Sequence, residues 1–275
     1  MHGTERDSGA ARPRIVAVAN QKGGVGKTTT AINLAAALAA ADRDVLVIDL
    51  DPQGNASTGL GIPRAARQAG IYDVLLDGKP LDETIIATSL PGFWLVPSTP
   101  DLAGAEVELV EAERREYRLR EALAGARSEL DFVLIDCPPG LGLLTLNALV
   151  AADSVLVPLQ AEFLALEGLT QLLRTIERVR AHFNPQLRTS GIVLTMVDRR
   201  NNLAELVAAD ARSHLGDQVY ATEIPRNVRV SEAPSHGRPV LAYDPRCPGS
   251  QAYVRLAGEF LRREERAAGT IGATS

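Results

Sequence analysis

RIVAVANQKGGVGKTTTAINLAAALAAA, Arg14 to Ala41, reads as three segments in a row. A β-branched apolar run comes first, then the glycine-rich octet KGGVGKTT (Lys22 to Thr29), then an alanine-rich helical stretch from Thr28. Strand, glycine loop and helix in that order form the context a phosphate-binding loop requires. The backbone N–H groups of Lys22, Gly23, Gly24, Val25 and Gly26 are expected to wrap an anion, and the following helix N-terminus adds a favourable dipole. Lys27 is expected to reach the β/γ-phosphates, the Thr28 hydroxyl to ligate Mg²⁺, and Thr29 to close the cradle. A glycine-rich turn with no ligand is the plain alternative, but it leaves the lysines unexplained. Two of the chain's three lysines, Lys22 and Lys27, stand in the octet, while arginine numbers 26. An ammonium is a compact point charge on a flexible stem, which suits a phosphate cradle better than a planar guanidinium. The octet predicts a nucleotide-binding protein.

Composition sets the frame. At 275 residues the chain can bury a sizeable core, and one large α/β domain is the natural count. Residues 1–12 and 267–275 read as a disordered extension and a flexible tail around a domain spanning 13–266. No apolar run reaches the ~18 residues of a membrane span, and the charged start MHGTERDSGAARPR carries no signal-peptide core, so a cytoplasmic location is expected. Cys137 and Cys247 have no metal-ligand spacing and read as reduced thiols.

Strands are expected near 14–19, 44–50, 93–97, 131–136, 154–159 and 190–196. Helices are expected at 28–41, 101–126, 142–152, 165–183, 202–215 and 250–266. Runs such as VLVIDL and FVLID are continuously apolar, as in a sheet covered on both faces. The alternation predicts a mostly parallel, twisted sheet with helices on both faces and ligands at the carboxyl ends of the strands.

Two further motifs fall at such ends. DVLVIDLDPQGNAST (Asp44 to Thr58) places Asp49 and Asp51 where an apolar strand enters a polar loop. A carboxylate there can hold Mg²⁺, directly or through water, or orient an attacking water. An Asx turn explains Pro52 and Gly54 but not two carboxylates flanking Leu50. DFVLIDCPPG (Asp131 to Gly140) ends a second apolar strand in Asp136, the form of a strand that carries an Mg²⁺-linked acid. The CPPG turn after it cannot continue a strand.

Gln21 stands where the common loop begins with glycine, and Lys22 follows it. This resembles the deviant Walker A loop of ParA/MinD-type P-loop ATPases. The resemblance extends from about Arg14 to Leu261 through PSTPDLAGAEVEL (Pro97 to Leu109), the segment Gly142 to Leu169, and IPRNVRVSEAPSHGRPVLAYDP (Ile224 to Pro245). The combination is similar to ParA/Soj-type partition ATPases of chromosomes and plasmids. The resemblance implies that Lys22 reaches a partner's phosphates across an ATP-dependent homodimer. It also implies that Asp51 positions the hydrolytic water, that Asp49 belongs to the Mg²⁺–water network, and that Asp136 and its turn sense the γ-phosphate. Pro225 and Asn227 are the implied adenine-pocket residues, and ATP is favoured because TMVD (Thr195 to Asp198) stands where a guanine-reading NKxD would. A weak ATPase that works as a timer is implied, with nonspecific double-stranded DNA and a ParB-like centromere-binding protein as partners and a nucleoid-associated location.

Net charge is −5, which argues weakly against nucleic acid, yet Arg174 to Arg266 holds 15 Arg against 11 Asp and Glu, a local balance of +4. Arg199, Arg200, Arg226 and Arg229 cluster in two short loops and are the candidate DNA contacts. Each could instead solvate its loop or pair with a nearby acid. A MinD-like membrane-positioning ATPase would end in a basic amphipathic helix. Here QAYVRLAGEFLRREER mixes Arg with Glu and is expected to pack Tyr253, Leu256, Phe260 and Leu261 onto the domain. An iron–sulfur reductase would need paired cluster cysteines, which the positions of Cys137 and Cys247 do not supply. An ATP-gated scaffold for another cargo remains as the alternative.

Overall fold

The computed structural model describes residues 12–125, 129–162, 165–198, 200 and 202–272. The chain runs β1 (Arg14–Val18), α1 (Lys27–Ala39), β2 (Val45–Asp49), α2 (Asn55–Gly59), α3 (Ile71–Leu76) and β3 (Ile86–Ala87). It continues through β4 (Phe93–Val96), α4 (Leu102–Glu108), α5 (Arg118–Leu123), β5 (Phe132–Asp136), α6 (Leu143–Ala151) and β6 (Ser154–Gln160). It closes with α7 (Ala165–His182), β7 (Arg188–Thr195), α8 (Asn202–Leu215), α9 (Val228–Glu232), α10 (Val240–Tyr243) and α11 (Pro248–Gly272).

The strands form one seven-stranded sheet in the order β3-β4-β2-β5-β1-β6-β7. Every neighbouring pair is parallel except β3 with β4. Successive side chains alternate between two cores, as strand geometry demands. Ile15 and Ala17 of β1 join Ile48, Val133, Ile135 and Val157 on one face, against α6 and α7. Val16 joins Val45, Val47, Leu134 and Leu156 on the other, against α1 and α11. Strands β2 and β5 are buried from end to end, which is why they read as unbroken apolar runs.

All six expected strands are present, and the α/β fold with one mostly parallel sheet is as the motifs implied. The edge strand β3 was not expected, since two residues carry no period. The helix expected over 101–126 is broken: α4 ends at Glu108, Ala112 turns extended, and Arg114 takes φ 51°, which stops any continuation before α5. The last helix does pack on the domain, with Tyr253, Leu256 and Phe260 buried and the Phe260 ring 5.4 Å from that of Phe132. It runs to Gly272, six residues past the expected end. Of the expected extension 1–12, only Arg12 lies within the described residues, and it pairs with Asp153 at 2.6 Å. No helix among the described residues is long and apolar enough to cross a membrane.

Candidate functional site

Three strand ends and one loop converge. Parallel pairing puts Val18, the last residue of β1, opposite Asp136, and Asp136 opposite Asp49, so two carboxylates stand side by side at the carboxyl edge of the sheet. The octet leaves β1 and turns back over that edge. Gly24 (φ 75°) and Gly26 (φ 89°) take left-handed backbone that a side chain resists, and Gly26 starts α1. Two polar anchors hold the loop. Asn20 donates to the Pro158 carbonyl at 2.7 Å and accepts from the Lys22 N–H at 3.1 Å. The Thr195 hydroxyl, at the end of β7, donates to the Val25 carbonyl at 2.8 Å.

Around this loop lies a cavity of about 470 Å³ lined by Gly23, Gly24, Gly26, Lys27, Thr28, Thr29, Asp51 and Pro139. Lys27 is buried, and its ammonium donates to the Lys22 carbonyl at 3.0 Å. Burial lowers its pKa, while the carboxylates of Asp136 and Asp51 work the other way. Asp51 is buried at the cavity wall and accepts the Gln53 N–H at 3.0 Å. Asp49 has no solvent exposure; one oxygen, Oδ2, takes both the N–H and the hydroxyl of Ser57, at 2.7 and 2.6 Å. Burial pushes its pKa up to about 6 against those two hydrogen bonds. Asp136 is equally enclosed, and burial with the nearby Asp49 carries its pKa well above the usual carboxylate range. The Thr28 hydroxyl faces Asp136 and favours its charged form, without closing a hydrogen bond to it.

Three buried carboxylate oxygens, Asp49 Oδ1 and both of Asp136, have no hydrogen-bond partner. Buried acceptors in that state signal a missing cation or water. A divalent cation held by these acids and the Thr28 hydroxyl would answer the deficit. The described residues offer no cluster of three His, Cys, Asp or Glu ligands. The pair Asp49 and Asp136 suits Mg²⁺, which takes one or two carboxylates and fills its octahedron with phosphate oxygens and water.

The expected residues are not all gathered here. Lys22 does not line the cavity; its ammonium meets Glu162 at 2.5 Å, both side chains being half-exposed. Pro225 and Asn227 do not line the cavity. Pro225 bridges to Val197, next in chain to the cavity residue Met196, and Asn227 caps α9 by accepting the Arg229 N–H at 3.0 Å. Arg199 lies outside the described residues. Arg200 is exposed and forks onto Asp198 at 2.9 and 2.8 Å; Arg229 pairs with Glu232 at 2.9 Å and Asp244 at 3.6 Å. Arg226 is exposed. Cys137, just past Asp136, is buried with its thiol pKa raised by burial, so it packs rather than reacts. The cavity also takes in Asn55, Thr58, Met196, Pro234 and Arg238, which the motifs did not single out. Met196 carried one unread signal, its place directly after a strand end; its φ of 52° is rare for a residue with a side chain.

Residues 13–189 match the model of an AAA domain family. The chain is 60% identical over 253 residues to the chromosome partitioning protein ParA of Caulobacter vibrioides, covering 91% of this chain and 95% of that one. It is 51% identical over 246 residues to the sporulation initiation inhibitor protein Soj of Bacillus subtilis, covering 90% and 97%. Among solved structures, cobyrinic acid a,c-diamide synthase from Mycobacterium smegmatis with bound ATP analogue and magnesium superposes with a TM-score of 0.81 at 40% identity, covering 92% and 96%.

Proposed function

Because this chain belongs to the ParA/Soj family of chromosome-partitioning ATPases, we propose that it is an ATP-driven switch that moves DNA: an ATP-bound homodimer grips duplex DNA, and hydrolysis releases it. The observation that carries the reading is the buried pair Asp49 and Asp136, with three unpartnered oxygens, set beneath a lysine-bearing phosphate loop. In this reading ATP is the substrate, and Thr28, Asp49 and Asp136 hold Mg²⁺, which when bound spreads the charge of the transferred phosphate. The loop amides and Lys27 bind the phosphates, and Asp51 orients the attacking water. Basal turnover is weak, and a ParB-like partner accelerates it.

Lys22 acts in trans. In the single chain it rests on Glu162, and an exposed pair of that kind is worth only ~0–1 kcal/mol, little against a partner's triphosphate. Arg200, Arg226 and Arg229, with Arg199, supply the DNA contacts; the exposed pairs to Asp198 and Glu232 are weak enough to exchange for phosphates. Such contacts carry no base information, so binding is nonspecific and the protein associates with the nucleoid. The partition relatives, at 60 and 51% identity, are more similar to this chain than the diamide synthase at 40%, which favours partition over amide synthesis.

The test is Asp51→Ala. It should still bind ATP and dimerise, stay on DNA, and release little phosphate. Normal hydrolysis by Asp51→Ala would move the water-orienting role elsewhere.

A further inference from the structure

Arg67 belongs to none of the motifs, yet it is one of the few buried charged residues, 7% exposed, and it sits behind the loop that carries Asp51. Its guanidinium reaches three pieces of chain. Nε and Nη2 donate to the Ile62 carbonyl at 3.1 and 2.8 Å, Nη2 also to the Thr58 hydroxyl oxygen at 2.8 Å, and Nη1 to the Ser98 carbonyl at 3.4 Å. From Thr58 the hydrogen bonds run on toward the site. The Thr58 hydroxyl donates to the Gly54 carbonyl at 2.9 Å, and the Gly54 N–H donates to the Asp51 carbonyl at 2.9 Å. Gly54 sits at φ 63°, and a Cβ there would stand 2.6 Å from Arg67 Nη1, so loop and guanidinium are in direct contact. Ser98 closes the frame from the other side, its N–H donating to the Ser57 hydroxyl oxygen at 3.1 Å while that hydroxyl donates to Asp49.

We propose that Arg67 is a positioning residue for hydrolysis: through Thr58 and Gly54 it holds the Asp51 loop so that the carboxylate faces the phosphate cavity. The inference rests on the reading of Asp51 given above. A planar fork with five donors ties Ile62, Ser98 and Thr58 together through four hydrogen bonds from three nitrogens, which an ammonium with three donors on one nitrogen does not reproduce. The Asp49 carboxylate supports the charge of Arg67, whose pKa is lowered mainly by burial. A purely structural role would lower stability and leave turnover untouched; a positioning role separates turnover from binding.

Steady-state kcat and KM for ATP, with thermal unfolding alongside, decide between them in Arg67→Lys, Thr58→Val, Thr58→Ser and Asp51→Ala. Misplacing a catalytic group by an ångström costs up to roughly a hundredfold, so Arg67→Lys and Thr58→Val are expected to lose at least roughly tenfold in kcat with KM within about twofold. Thr58→Ser keeps the hydroxyl that links Arg67 to Gly54 and should recover most of the kcat that Thr58→Val loses. Thr58→Val should fold with only a modest loss of stability, because Nη2 keeps the Ile62 carbonyl as a partner, and it decides the matter alone if Arg67→Lys does not fold. Parental kcat in Arg67→Lys and Thr58→Val, beside an inactive Asp51→Ala, overturns this proposal and leaves the Asp51 reading standing. Normal hydrolysis by Asp51→Ala overturns both.

Discussion

Replacing Lys27 by alanine removes the ammonium buried at the floor of the cavity, where it opposes the carboxylates of Asp136 and Asp51. A charge-assisted hydrogen bond is worth about 1.5–3 kcal/mol. A unit ion pair at 4 Å adds up to about 4 kcal/mol at an effective dielectric near 20. Against that stands the cost of keeping Lys27 desolvated, which its lowered pKa reports. A net loss of about 3–4 kcal/mol follows, or roughly a hundred- to a thousandfold in Kd. The triphosphate would then meet Asp49, Asp51 and Asp136 with less cation to offset them, so the upper part of that range is favoured. Isothermal calorimetry with a nonhydrolysable ATP analogue and Mg²⁺ reads the change directly, with circular dichroism to show that the variant is folded. A folded Lys27→Ala that binds within about threefold of the parent would refute the electrostatic reasoning, since a factor of three is only ~0.7 kcal/mol.

Other consequences are open to test. Lys22→Gln removes a half-exposed pair with Glu162 and should leave ATP affinity measurable while abolishing ATP-dependent dimers in light scattering; full dimerisation would remove the trans role. Glu264 is buried and accepts from Arg14 at 3.0 Å, from Arg188, and from the Ser190 hydroxyl at 3.1 Å, pinning α11 to β1 and β7. Glu264→Ala should cost about 2–4 kcal/mol in urea unfolding, less than a fully enclosed pair because both guanidinia are partly exposed; a loss under about 0.5 kcal/mol would contradict the clamp. Asp49, raised to about 6, keeps a proton in the fold that the unfolded chain gives up near its ordinary value of 3.8. Stability of the nucleotide-free protein should therefore fall as pH rises from about 3.8, with Asp136, whose pKa is raised as well, adding to the slope, and Asp49→Asn should make the slope shallower. An unchanged slope in Asp49→Asn would assign it to another group.

What the sequence disclosed followed from how local each signal was. The loop, the apolar strands and the acids ending them are contiguous, and parallel pairing alone brings Asp49 beside Asp136. The break at Arg114 and the two-residue β3 have no periodicity to read. Arg67 is one arginine among 26, and only its burial between Thr58, Ile62 and Ser98 sets it apart. The pairing of Lys22 with Glu162 spans 140 residues, beyond any local pattern. Arg200 was legible as a basic loop residue, whereas Arg229 lies on α9 and not in the expected loop, and the acidic partners Asp198, Glu232 and Asp244 emerge only from side-chain geometry.

A salt titration of duplex binding with ATP, with ADP and without nucleotide, run on the parent, Asp51→Ala and Arg200→Glu, reads the ATP gate on DNA binding itself. Binding is expected with ATP alone among the three conditions, falling steeply as salt rises, prolonged in Asp51→Ala and lost in Arg200→Glu while ATP affinity and dimerisation persist. Equal binding with ADP or without nucleotide, or no binding by the ATP-loaded parent at low salt, would contradict it.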